Sequence, residues 1–155
     1  MSFRLSQRSM DRLEGVHPDM TAVVERAIQL TKVDFGVTEG VRTLEKQKEN
    51  VAAGRSQTMA SKHLLQDDGF SHAVDVVAYI GPDVSWELNV YDDICDAFKQ
   101  AAEEIGVSIK WGAAWSEGDI RSYPSTSEDA MMAYIDLRRS QGRRPFLDGP
   151  HFELM

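Results

Sequence analysis

Apolar positions along this chain follow two rhythms, and Gly or Pro marks most of the places where one gives way to the other. Behind His17-Pro18-Asp19, residues Met20, Val23, Val24, Ala27, Ile28 and Leu30 recur at helical spacing. A longer helix is predicted from Leu88 to Ile105. There Tyr91, Ile94, Phe98, Ala101 and Ile105 form one stripe, and Gly106 supplies the stop. Thr43 can cap a helix from Leu44 to Ala53 that ends at Gly54. Ser127-Glu128-Asp129 opens another that runs through Arg139, and the polar segment Ser6 to Val16 predicts a short one. Short strands are expected at Phe35 to Thr38, at Val107 to Trp111 and, from an apolar/acidic alternation, at His151 to Leu154. Ala73 to Ile80 is apolar almost throughout, which suggests a strand buried on both faces and closed by Gly81-Pro82-Asp83. Residues 55–72, Gly112 to Ser125 and Gly142 to Pro150 hold no period and read as loops. Mixed helices with few strands indicate an α+β fold with a small sheet.

A chain of 155 residues without repeats or low-complexity tracts is read as one domain over 1–155. With 25 acidic and 17 basic side chains the formal net charge is −8. That excess argues against a nucleic-acid partner, whose phosphates need cationic surface. It argues equally against electrostatic capture by anionic lipid. No apolar run reaches the roughly 18 residues that span a bilayer, so stable membrane insertion is not expected. The start, Met1 to Arg8, has no apolar run behind it, so no signal peptide is read. The single cysteine, Cys95, lies in a helical apolar pattern and is expected as a small buried hydrophobe.

The candidate chemistry is concentrated at the C-terminus, in Asp148-Gly149-Pro150-His151-Phe152-Glu153-Leu154-Met155, and in two upstream runs, Ser61-Lys62-His63 and Ala73-Val74-Asp75. Two histidines and a carboxylate with an open fourth position are the pattern of a catalytic zinc site, and a spare carboxylate nearby is what metal-assisted hydrolysis needs to shuttle protons. Asp75 within an apolar strand is costly unless paired or metal-bound; a salt bridge to an arginine is the alternative. His72 competes with His63 as a ligand. Side chains alternate along a strand, so positions 72 and 75 point to opposite faces, which favours His63. Asp148 is expected as the general base, against the plainer reading of an Asx turn with Gly149. Glu153 shares a strand face with His151 and either orients that ligand or faces solvent. Trp111 and Trp115 are expected either along a cleft or in the core. The pair Asp67-Asp68 is expected to be solvated rather than to hold a cation.

Five segments in order resemble the M15 family of zinc peptidases, and most closely its small phage endolysins that act as L-alanyl-D-glutamate peptidases. They are Glu39-Gly40-Val41-Arg42-Thr43, Ser61-Lys62-His63, Ala73-Val74-Asp75, Trp111-Gly112-Ala113-Ala114-Trp115 and Asp148-Gly149-Pro150-His151-Phe152-Glu153-Leu154. One departure is local. The family's SxHxxGxAxD run is short, whereas twelve positions separate His63 from Asp75 here, with an insertion around residues 66–70.

The resemblance implies a mainly antiparallel sheet flanked by helices, of the D,D-peptidase-like kind. It implies Zn2+ held by His63, Asp75 and His151, with Asp148 as proton shuttle and Arg42 on the scissile carbonyl oxygen. Ser61, Gln47 and Trp115 are candidates for substrate contact. The implied function is a monomeric endolysin that hydrolyses the L-Ala–D-Glu bond of the peptidoglycan peptide stem. It would be made in a host cytoplasm and reach the wall once the membrane is permeabilised. A D,D-carboxypeptidase is the nearest enzyme alternative, and a non-catalytic zinc domain that binds cell wall is the alternative from another class.

Overall fold

The computed structural model describes residues 2–155. Five α-helices, α1 (Gln7–Arg12), α2 (Pro18–Leu30), α3 (Leu44–Ala52), α4 (Leu88–Ile105) and α5 (Ser127–Ser140), accompany five strands. The strands are β1 (Asp34–Glu39), β2 (Ala73–Ile80), β3 (Asp83–Ser85), β4 (Ile109–Trp111) and β5 (His151–Leu154). The sheet runs β1-β2-β5-β4, entirely antiparallel, and β3 pairs with the far half of β2. This is the expected α+β class, with β2 as its axis.

Alternation along the strands separates a core face from a site face. Val74, Val76 and Ala78 of β2 join Phe152 and Leu154 of β5 in the main core. α2 and α4 supply the rest. The α4 stripe is buried through Tyr91, Ile94, Cys95, Phe98 and Ala101, and Phe98 stacks on Phe152 with ring centroids 3.8 Å apart. Cys95 is fully buried there, as expected. Ile105, the last member of the predicted stripe, lies exposed in the final turn before Gly106, whose φ of 83° ends the helix.

The register carries the fold to its site. Asp75 on β2 is paired with His151 on β5 and with Glu39 on β1, beside an irregularity between Val37 and Glu39. Three polar residues therefore stand in one row across three strands. Glu153, two residues beyond His151, shares their face.

Some expectations shift. β2 is buried only as far as Ala78, because Tyr79 and Ile80 run on into the hairpin with β3 and are exposed. The three-residue β3, placed where a turn was expected to close β2, is too short to show a period. The expected first helix contracts to Gln7–Arg12, the expected Val107 strand begins at Ile109, and the loop after Gly112 holds two 3-10 turns, Trp115–Glu117 and Ile120–Ser122.

Candidate metal and active site

His63, Asp75 and His151 come together in three dimensions, each offering one ligand atom within 4.8 Å of the others. His63 Nε2 is 3.1 Å and His151 Nδ1 3.0 Å from the same oxygen, Asp75 Oδ1. The far side of each ring fixes its tautomer. His63 Nδ1 lies 2.8 Å from the Gly40 carbonyl, which can only accept, so that nitrogen carries the proton. His151 Nε2 donates to Glu153 Oε1 at 2.8 Å. Two imidazole lone pairs are thus aimed at a carboxylate oxygen that is itself a lone-pair donor. A metal ion among the three relieves that opposition, as added ring protons do in its absence, and two nitrogens with one oxygen match the ligand chemistry of a zinc-type metal. Glu153 and Gly40 hold the two imidazoles in place, as outer partners do for histidines that could bind a metal.

The electrostatics agree with a charged cluster. Burial opposes a charge on Asp75, yet hydrogen bonds with His151 and His63 outweigh it and hold the carboxyl well below its usual range. Burial likewise opposes a charge on His151, but Asp75 and Glu153 outweigh it and pull the imidazole up to about 10.

Arg42 is pinned beside this group. Its Nε donates to Glu39 Oε1 at 2.9 Å, its Nη2 meets the same carboxylate oxygen, and Nη1 donates to Gln47 Oε1 at 2.7 Å. Nη2 also stands 3.6 Å from Asp75 Oδ2. Thr43 caps α3 by accepting from Lys46 N, so the helix begins directly behind the arginine and returns Gln47 to it. A guanidinium fixed on three sides beside this cluster has the preorganisation that stabilising a developing oxyanion requires.

Asp148 enters from the turn before β5. Its N–H donates to the Gly112 carbonyl at 2.9 Å, and Gly112 N–H donates to the His151 carbonyl at 2.8 Å. Trp111 is wholly buried and sends its Nε1–H to the Gly149 carbonyl at 2.8 Å. α5 ties down the approach to this turn: Phe146 N–H donates to Tyr134 Oη at 3.1 Å, and Arg138 donates to the Arg144 carbonyl. Burial, and then the charge on Asp75, push the Asp148 carboxyl above its ordinary pKa. An upward bias of this kind is a common mark of carboxyl groups that transfer protons. His63, Asp75, His151, Arg42, Asp148 and Glu153 open onto a cleft of about 740 Å³.

Residues 1–155 match a family model described as phage L-alanyl-D-glutamate peptidase. The chain belongs to that family. It is 32% identical over 120 residues to the L-alanyl-D-glutamate peptidase of Escherichia phage T5, covering 75% of this chain and 84% of that protein. The L-alanyl-D-glutamate peptidase of Listeria phage A118 is 34% identical over 84 residues, 54% of this chain and 27% of that protein. Among solved structures, the Serratia marcescens L-Ala D-Glu endopeptidase ChiX is similar with a TM-score of 0.72 and 36% identity, over 99% of this chain and 91% of that one. The family is one of peptidases, so the chain is an enzyme of that class, and the five-motif resemblance is borne out.

The remaining candidates separate cleanly. Ser61 lines the cleft, and its Oγ lies 3.5 Å from Arg42 Nη1. Trp115 lines it too, its ring 5.5 Å from that of His151, while its Nε1–H is buried without an acceptor among the described residues. Trp111 belongs to the core. Gln47, expected along the cleft, is fully buried and spends its amide on Ser56 and Thr58; its role is to hold Arg42. His72 stands outside the cluster, with Nε2 2.7 Å from Asp68 Oδ2. Asp68 also accepts from Phe70 N–H and faces His17 at 3.8 Å, so the insertion is pinned by its own acid, not merely solvated. Glu39 is the functional residue the sequence reading passed over. It stands three residues before Arg42 at a strand end, a spacing that signals an ion pair only once the bend at Gly40 is known.

Proposed function

We propose that this protein is a zinc-dependent endolysin that hydrolyses the L-Ala–D-Glu bond of the peptidoglycan peptide stem. The observation that carries the metal is the opposition of two imidazole lone pairs across Asp75 Oδ1. The relatives' printed activities support the bond. His63, Asp75 and His151 would hold the ion, which supplies Lewis-acid polarisation of the scissile carbonyl and acidifies water. Asp148 takes the proton from the attacking water and hands it to the departing amine. Arg42, held by Glu39 and Gln47, donates to the carbonyl oxygen as negative charge gathers there. Ser61 and Trp115 shape the cleft around the peptide.

A monomeric enzyme is part of this proposal. Among the described residues no helix is long and apolar enough to cross a membrane. The protein is made in the host cytoplasm and meets the wall once the inner membrane is permeabilised. The spare carboxylate at Asp148 favours this reading over a non-catalytic zinc domain, and the relatives favour it over a D,D-carboxypeptidase. Mass spectrometry of fragments released from purified peptidoglycan tests it. New N-termini at D-Glu, with one zinc per chain by elemental analysis, are expected. Release of D-Ala alone, or no release by zinc-loaded protein, refutes it.

A further inference from the structure

Beyond the metal ligands, the cleft is lined by Arg55 and Lys62 from the segment between α3 and β2, and by Arg138 from α5. Among the described residues none of the three forms an ion pair. The contrast with the rest of the cleft is sharp. Arg42 is neutralised by Glu39 and Asp75, while Asp75 and Glu153 are bound to histidines. In a chain with 25 acidic side chains against 17 basic, three unpartnered cations on one cleft are a charge surplus in a molecule that has acids to spare.

Two of the three are already held by hydrogen bonds to neutral oxygens. Arg138 donates Nε and Nη2 to the Arg144 carbonyl at 3.2 and 3.0 Å, which leaves Nη1 free. Arg55 donates Nε to Asn50 Oδ1 at 3.2 Å, which leaves both terminal nitrogens free. Guanidinium groups held by neutral oxygens keep their full charge and lose little freedom when an anion arrives.

The bond assigned above determines what anion that is. When alanine acylates the amino group of glutamate, the glutamyl residue keeps two carboxyl groups. One continues the chain. The other is a free carboxylate unless it has been amidated. We propose that Arg138, with Arg55 and Lys62, forms a carboxylate-binding wall that reads this free glutamyl carboxylate, so that the enzyme selects against stems in which it is amidated. The proposal rests on the peptidase reading.

The test uses two synthetic stem peptides that differ only in whether that carboxylate is free or amidated. Wild-type enzyme is expected to favour the free acid in kcat/KM by roughly tenfold or more, the loss typical when a hydrogen bond to a charged group is removed. Arg138→Gln also gives up the tie to the Arg144 carbonyl and so lowers both rates, but the ratio of kcat/KM for the free acid to that for the amide should fall toward one. Rate equality of the two peptides with wild-type protein overturns the proposal, as does an equal loss on both peptides in Arg138→Gln. The same peptides titrated into the Asp148→Asn protein, followed by calorimetry, separate the two levels of inference. Preferential binding of the free acid without cleavage by wild type would sink the peptidase reading and keep the wall. Cleavage without preference in rate or binding would sink the wall and keep the peptidase.

Discussion

Replacing Gly112 with alanine should disable the site although Gly112 is neither a ligand nor a contact for substrate. A Cβ built there overlaps the Asp148 carbonyl oxygen outright and falls 2.9 Å from His151 Cβ and 3.1 Å from Asp148 Cβ. Ordinary contacts begin at 3.4 Å. His151 Cβ would have to retreat by about half an ångström and the Asp148 carbonyl by about 1 Å, and overpacking of this kind costs roughly 1–3 kcal/mol. The turn cannot yield freely. Asp148 N–H and Gly112 N–H both bond across the contact, and Trp111 holds Gly149 from beneath. The displacement is therefore passed to the two residues whose positions matter most. A misplacement of about 1 Å can cost on the order of 10²-fold in rate. Turnover of purified peptidoglycan, zinc content and thermal midpoint should be measured together. The expected result is a folded protein with a lowered midpoint, weakened zinc retention and turnover reduced by about 10². Wild-type turnover in Gly112→Ala would show that the turn is soft, and the packing argument would fail.

His63→Ala should abolish zinc retention while His72→Ala keeps it, read by elemental analysis; the reverse would place the insertion on the wrong side of the ligand. Asp148→Asn should remain folded and zinc-loaded but lose on the order of 10²–10⁴-fold in rate, as removal of a general base does; near-normal lysis of permeabilised cells would remove Asp148 from the chemistry. Glu39→Gln frees Arg42 from its carboxylate and should lower kcat by up to about 10²-fold with zinc content unchanged; loss of zinc instead would make Glu39 part of the metal's support. Asp92 is buried, and burial, with the nearby charge of Asp93, raises its carboxyl to about 6. A raised acid keeps its proton in the folded state, so stability falls as pH rises from about 4 to about 6 and stays lower above. Asp92→Asn should therefore stabilise the protein at pH 7 by about 1–2 kcal/mol, discounted for solvent screening, and hardly at all at pH 4. Denaturant midpoints at the two pH values check this, and an equal offset at both would refute it.

Helix periods and glycine stops were legible because they depend on neighbours in sequence. The α2 and α4 stripes and the Gly106 stop lie where the spacing puts them. That Asp75 would have close partners was legible for another reason: it is an acid inside a run of Val and Ala, and so large a burial cost advertises a partner. What stayed hidden is whatever depends on register. Nothing in Glu39 or Gln47 says that one will stand opposite Asp75 and the other will turn inward behind Arg42. Gln47 sits on a helix whose apolar face is sparse, so its burial follows from hydrogen bonds to Ser56 and Thr58 rather than from hydrophobicity. Asp68 was read as solvated because His17 and His72 are far from it or ambiguous in sequence, yet the fold closes all three together.

The row Glu39, Asp75, His151 explains why the fold and the site are difficult to separate. Antiparallel pairing across β1, β2 and β5 places three polar side chains within reach of one another on one face. Without partners they would repel or be left desolvated. With Arg42 docked on Glu39 and Asp75, and His63 brought in over Gly40, each charge has a counter-charge except at the point where the lone pairs converge. A one-residue slip of β5 would turn His151 and Glu153 into the apolar core and send Phe152 to the cleft. The stacking of Phe152 on Phe98 and the Trp111 bond to Gly149 oppose that slip from the other face. Core packing therefore sets the register, the register sets how His63, Asp75 and His151 meet, and this cluster takes its precision from aromatic residues on the opposite face of the sheet.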